Sequence, residues 1–279
     1  MTNPIADPLV EVTDTDALSP LVELDASPSG VAVVTINRPE KKNAFNAEVI
    51  AALAEHFETL RDADGVRIVF LRGAGGAFSA GADLDWMRSA ADWTVSENRD
   101  DAQKLAEMLQ ALAELPQLTV ALVEGPAFGG GAGLVAACDY AVAAPDATFA
   151  FSEVKLGLVA ATIGPHVVAA IGPRRSKSLF ATGRSFDATF AEKIGLIDEV
   201  VASAADLDDA MERLSIEIMA CAPGAVAASK ALVDAVAGLP IDEELIEETA
   251  KLIADRRASE EGQEGVRAFL DKRKPSWAE

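Results

Sequence analysis

The stretch Gly125-Pro126-Ala127-Phe128-Gly129-Gly130-Gly131 restricts the possible folds of this chain more than any other. It follows an apolar run at 119–123 that reads as a buried strand, and its glycines demand a backbone that bends tightly. Helical spacing resumes at once but lasts only to Ala137, because 140–143 and 148–151 read as further strands. A strand, a tight bend, a very short helix and two more strands leave room for α/β packing but not for a long crossover helix.

The flanking segments fit that picture. Two β-branched runs, 21–24 and 31–36, are joined by Ser27-Pro28-Ser29-Gly30, a hairpin signal. Helical spacing runs from 46 to 60, a short strand follows at 66–71, and 74–82 is a glycine-containing loop. The polar segment 88–101 is expected to be mobile, with helix from 102 to 115. Beyond Ile163 the pattern is almost wholly helical, with one strand at 199–202 and tail helices at 207–220, 223–237, 242–255 and 259–271. This order predicts an N-terminal arm (1–20), an α/β core (21–202) and a helical C-terminal region (203–279).

Composition bounds the function. With 279 residues the chain can bury a large core unaided. Two cysteines exclude a disulfide scaffold, and two histidines argue against a His-rich metal site. The net charge of −21 repels nucleic acid and anionic lipid. No basic and apolar leader is seen at the start, and the longest apolar stretch, 156–171, is interrupted by Pro165 and His166, so no membrane span is expected. A cytoplasmic enzyme is the expectation. Two local basic clusters stand out against the acidic background: Arg38, Lys41 and Lys42, and Lys272, Arg273 and Lys274. Each reads either as a solvated patch or as a site for an anionic small ligand.

Several motifs carry no chemistry. Gly131-Ala132-Gly133-Leu134-Val135-Ala136, with Glu153 downstream, imitates a dinucleotide fingerprint. Its preceding strand ends too early and its helix is too short for that role. No G-x-S-x-G occurs, and His56 and His166 sit in helical or apolar settings. Cys138 and Cys221, in apolar helical surroundings, read as buried inert thiols.

Three features do carry chemistry. The glycine-rich loops each end at the start of a helix, one at Gly81-Ala82-Asp83-Leu84 and the other at Gly130-Gly131-Ala132. Helix N-termini present unpaired N–H groups and the positive end of the dipole, and two converging N–H groups make an oxyanion hole. Ordinary tight turns are the alternative. Glu153 lies in Phe151-Ser152-Glu153-Val154-Lys155, between apolar segments. It is either a carboxylate with a raised pKa suited to proton transfer or the partner of Lys155 in a surface ion pair.

These residues resemble the crotonase superfamily, the enoyl-CoA hydratases and isomerases. The matching motifs are Thr35-Ile36-Asn37-Arg38-Pro39-Glu40-Lys41-Lys42-Asn43-Ala44, Ala77-Phe78-Ser79-Ala80-Gly81-Ala82-Asp83-Leu84, the glycine-rich turn, Cys138-Asp139-Tyr140, Glu153 to Leu158, and Ala268-Phe269-Leu270-Asp271-Lys272-Arg273-Lys274-Pro275. The resemblance spans nearly the whole chain. It implies a spiral of ββα turns with a trimerising helical tail, a homotrimer or a dimer of trimers, and an acyl-CoA thioester as substrate, with no metal or redox cofactor. It implies that the amides of Ala82 and Gly130 hold the thioester oxygen and that Glu153 moves protons. CoA contacts are implied at Arg38, Lys41, Lys42, Ala80, Asp83, Leu84 and Asp85, with Gly133 at the acyl end. Phe269 and Lys272 are implied to reach CoA bound by a neighbouring subunit.

One position departs from the family pattern. Hydratases of this superfamily carry a second glutamate where this chain has Gly133. A lone carboxylate suits the shuttling of one proton between two carbons, which is Δ3,Δ2-enoyl-CoA isomerase chemistry. It also supports hydration if another group holds the water, with Asp85 and Ser152 as candidates by neighbourhood. Residues 151–165 with Ala82-Asp83-Leu84-Asp85-Trp86-Met87 resemble bacterial hydratases of branched, methylglutaconyl-type CoA esters. An enoyl-CoA hydratase is therefore the first expectation. A non-catalytic acyl-CoA-binding homologue, a decarboxylase and a thioester hydrolase are the rivals.

Overall fold

The computed structural model describes residues 20–278, so the predicted arm lies outside the described residues apart from Pro20. The chain opens with the expected hairpin: β1 (Val22–Ala26) pairs antiparallel with β2 (Val31–Ile36). The rest of the main sheet is parallel. It runs β1-β2-β3-β4-β6-β9, with β3 at Ile68–Gly73, β4 at Leu118–Val123, β6 at Tyr140–Ala143 and β9 at Glu199–Val200. A small second sheet joins β5 (Pro126–Phe128), β7 (Thr148–Ala150) and β8 (Ser185–Asp187). β4 and β6 are each followed by a short strand of the second sheet and then by a helix, which is the repeating turn of a ββα spiral.

The main sheet is buried on both faces, which explains its nearly continuous apolar strands. Val69, Leu71, Ala121, Val123, Ala141 and Ala143 face a core shared with α1 (Ala47–Arg61) and α3 (Val95–Ala113). Their neighbours Ile68, Phe70, Val120, Leu122 and Val142 face the opposite way, onto Leu207, Ala210, Leu214 and Ile218 of α7 (Asp206–Met219). The period-2 alternation of β side chains sorts the two sets. Helix α1 begins where its spacing predicted: the Asn46 side chain accepts from the Val49 N–H at 2.9 Å.

Three expectations need correction. Residues 95–101 are the first turns of α3, so that helix starts before 102. Thr94 and Glu97 form a reciprocal capping box there, so the polar segment is the exposed face of a helix. The region beyond Ile163 contains a second strand, β8, too short to show a period. Cys221 is exposed rather than buried. Cys138 does fit the inert reading, since burial drives its thiol pKa far upward.

The remaining helices position the site or form the tail. They are α2 (Leu84–Ala90), α4 (Gly130–Ala137), α5 (Gly164–Thr182, broken at Gly172), α6 (Ala188–Ile194), α8 (Pro223–Val236), α9 (Glu243–Ala258) and α10 (Glu260–Leu270). Neither α8 nor α9 buries a residue, and Val233, Ile246 and Ile253 are exposed.

Candidate active site

The loop carrying Ala82 is held from both sides by backbone pairing. The Ser79 N–H donates to Pro126 O and the Phe128 N–H donates to Ser79 O, both at 2.9 Å, which lays the loop against β5. On the other side, the Phe45 N–H donates to Gly81 O and the Asp83 N–H to Phe45 O, both at 2.7 Å. These bonds skip one amide. Among the described residues, the Ala82 N–H donates to no acceptor.

Gly81 makes this approach possible. Its φ is 90°, and a Cβ there would lie 2.9 Å from Phe128 O. The next residues of that strand turn at Gly129 (φ 50°, ψ −117°) into α4, whose first amide belongs to Gly130. That N–H also has no acceptor among the described residues, as expected for the first turn of a helix. Phe45 ties the two free amides together: its backbone pairs beside Ala82, and its ring lies where a Gly130 Cβ would come within 2.8 Å of it. Sequence reasoning missed Phe45, although it lies one residue beyond a quoted motif.

Glu153 reaches the same place. It starts the single turn of 3-10 helix Glu153–Leu156, and its Oε1 would lie 3.4 Å from a Cβ on Gly129. It forms no ion pair with Lys155 or any other base among the described residues. Its Oε2 is buried without a hydrogen-bond partner. Burial pushes the carboxyl above the ordinary glutamate range, partly offset by its own backbone N–H. A carboxyl that protonates readily, next to two free amides at helix starts, can take up and return protons beside a developing oxyanion.

Gly133 leaves no room for a second carboxylate. A Cβ on Gly133 would overlap Ile163 Cγ2 and lie 2.8 Å from Ile163 Cβ, and Ile163 is buried. The space opposite is therefore filled with hydrocarbon. Gly133→Glu alone is expected to lose about 1–3 kcal/mol of stability through overpacking, without a gain in turnover. Adding Ile163→Gly should recover part of that loss, a coupling that denaturation curves of the single and double variants would measure.

The other predicted residues fall into three groups. Arg38 turns inward: its guanidinium donates to Ala44 O at 2.6 Å and pairs with buried Asp83 at 3.1 Å. Asp83 also accepts from the N–H of Asp85 at 2.7 Å, capping α2. Together they fix the loop that presents Ala82, so both side chains act by positioning. Asn43, which sequence reasoning passed over, does the same from a buried site, donating to Ala74 O at 2.8 Å and Ala77 O at 2.5 Å. In the second group, Lys41, Lys42, Leu84 and Asp85 are exposed beside the loop that carries Ala82. Lys41 pairs with Asp85 at 3.0 Å, and Asp85 also pairs with Arg88. Ala80 is held to this basic loop by its N–H, which donates to Lys42 O at 2.9 Å.

Phe269 and Lys272 form the third group and lie elsewhere. Lys272 lines a cavity with Pro28, Gly30 and Met219, at the starting ends of the strands, opposite the ends that carry Ala82. Phe269 is 82% exposed. Of the two residues expected to hold a water, Asp85 is engaged at the surface by Lys41 and Arg88, and the Ser152 hydroxyl makes no helix cap.

The family model for enoyl-CoA hydratase/isomerase matches residues 26–279. An enoyl-CoA isomerase/hydratase of Mycosarcoma maydis is 33% identical over 88% of this chain and 92% of its own length. The crystal structure of an enoyl-CoA hydratase from Shewanella pealeana superposes with a TM-score of 0.89 at 36% identity, covering 92% of this chain and 96% of that one. The crystal structure of an enoyl-CoA hydratase from Mycobacterium smegmatis gives 0.87 at 35% identity, covering 94% and 100%.

Proposed function

The chain belongs to the enoyl-CoA hydratase/isomerase family, and on that footing we propose that it is an enoyl-CoA hydratase, adding water across the double bond of a 2-enoyl-CoA thioester. The observation that carries this reading is the buried, unpartnered Glu153 carboxyl beside the free Ala82 and Gly130 amides. The thioester oxygen sits between the two N–H groups. Water attacks Cβ while Glu153 takes its proton, the electron pair moves onto the thioester oxygen, and Glu153 then returns a proton to Cα. Each amide donor is worth about 3 kcal/mol of barrier. The addition is redox-neutral, so groups of the chain suffice and no cofactor is invoked.

The acyl group is of the branched, methylglutaconyl type, as the resemblance of residues 151–165 implies. Lys41 and Lys42, exposed beside the Ala82 loop, meet the nucleotide phosphates. The tail supplies Phe269 and Lys272 to a neighbouring subunit in a homotrimer or dimer of trimers. The apolar residues that α8 and α9 leave uncovered within one chain support that assembly. The cytoplasm is the proposed location.

A second reading has its own observation. Ile163 fills the space beside Gly133, so one carboxylate works alone, which also suits isomerisation by moving a proton from C2 to C4 through a dienolate. Crotonyl-CoA and a 3-enoyl-CoA, offered separately, distinguish the two. The hydratase reading expects a 3-hydroxyacyl-CoA from crotonyl-CoA. Conjugation of the 3-enoyl-CoA with no hydroxyacyl product from either substrate would replace it by the isomerase.

A further inference from the structure

We propose that the cavity between the second half of α5 and α6 is an anion site for a small phosphorylated ligand carrying a di- or triphosphate, separate from the site of Glu153. The cavity has a volume of about 480 Å³, within the range of roughly 300–1,000 Å³ typical of small-molecule sites. Arg174, Arg175 and Arg184 line it, together with the apolar side chains of Ile171, Leu179 and Phe190.

What sets the three arginines apart among the described residues is that they line one cavity together without a carboxylate partner. Arg38, Arg61, Arg72, Arg88, Arg213 and Arg256 each pair with a carboxylate, as expected in a chain with a net charge of −21. Among the described residues, Arg174, Arg175 and Arg184 form no ion pair. Arg184 is held instead by an aromatic face, with its guanidinium carbon 4.5 Å from the Phe190 ring centroid. Phe190 is itself braced edge-on by Phe186 at 5.6 Å. The nearby carboxylate of Asp187 caps α6 by accepting from the Phe190 N–H at 2.8 Å and forms no ion pair with the three arginines. The break at Gly172 (φ 76°, ψ 161°) and Pro173 starts a new helical segment at Arg174 and Arg175. Its positive dipole end adds to the guanidinium charge.

The chemistry of the lining selects the ligand. Each guanidinium offers a planar fork of donors that matches two phosphate oxygens. One carboxylate would satisfy one fork and leave two cations uncompensated, whereas a di- or triphosphate balances all three. Ile171, Leu179 and Phe190 offer an apolar surface to the organic body that carries the phosphates.

Calorimetric titration of the full chain with pyrophosphate tests the assignment. Saturable binding at one site per chain is expected, weakened at least tenfold in Arg174→Gln with Arg184→Gln, while enoyl-CoA turnover and molecular mass stay unchanged. Arg175→Gln alone should weaken it several-fold, which keeps the test open if the double variant misfolds. Lys41→Ala with Lys42→Ala should leave it unaltered. Four results would each overturn the proposal. They are no saturable binding to the natural chain, equal binding in the arginine variants, loss in the lysine variant instead, and a change of molecular mass without any effect on binding.

Discussion

Glu153→Gln should lower enoyl-CoA turnover by roughly 10²–10⁴-fold while leaving substrate binding within a few-fold, because only the transferable proton is removed. The carboxamide keeps the size and polarity of the side chain beside Gly129, so the fold is preserved. The pH dependence follows from the same burial. Hydration needs the ionised carboxylate, so kcat/KM should fall with decreasing pH along a limb whose midpoint lies above the ordinary glutamate range, and the Gln variant should lack that limb. Stability changes in the opposite sense. The folded pKa is raised, so the folded state holds the proton more tightly than the unfolded chain. That advantage is complete at low pH and is lost as pH rises from the unfolded value through the folded one. At neutral pH the buried charge is a burden on the fold, and Glu153→Gln is expected to raise the melting temperature as it abolishes turnover.

Gly81→Ala is the second large effect. The residue sits at φ 90°, where an L side chain costs about 1–2 kcal/mol, and its Cβ would press on Phe128 O at 2.9 Å. The contact is with backbone, so the relief must come from moving the loop, and Ala82 is the next residue. A displaced Ala82 amide no longer meets the oxyanion, and kcat should drop by roughly 10²–10³-fold. The loss in kcat should exceed what the stability loss explains, a comparison that urea denaturation and turnover on the same preparations would make.

Much of the fold can be read from local pattern. The hairpin of β1 and β2, helix α1 behind its Asn46 cap, the short helix α4 and the four tail helices all fall within a few residues of where spacing puts them. The early start of α3 was readable too, since Thr94 and Glu97 carry the capping-box spacing, but the polar face of the helix masked it. Strand β8 has three residues, too few for an alternation to register. At the site, glycines before helix starts leave oxyanion hole and ordinary tight turn both open, and the family resemblance implies the amides of Ala82 and Gly130. The filling of the Gly133 space by Ile163 is not legible there, because it depends on how α4 and the start of α5 cross in space. The inward turn of Arg38 was hidden for a similar reason. A basic residue in a charged cluster looks solvated until its partner, here Asp83, arrives from a distant segment.

The central claim is that two main-chain amides stabilise a thioester enolate while the Glu153 carboxyl moves the proton. Exchange of the α-hydrogens of a saturated acyl-CoA in deuterated water, followed by NMR, isolates that step from both water addition and double-bond migration. The natural chain should catalyse the exchange, Gly81→Ala should slow it in step with its loss of kcat, and Glu153→Gln should reduce it to the uncatalysed rate. Exchange that persists undiminished in Glu153→Gln would show that another group handles the proton and would contradict the account.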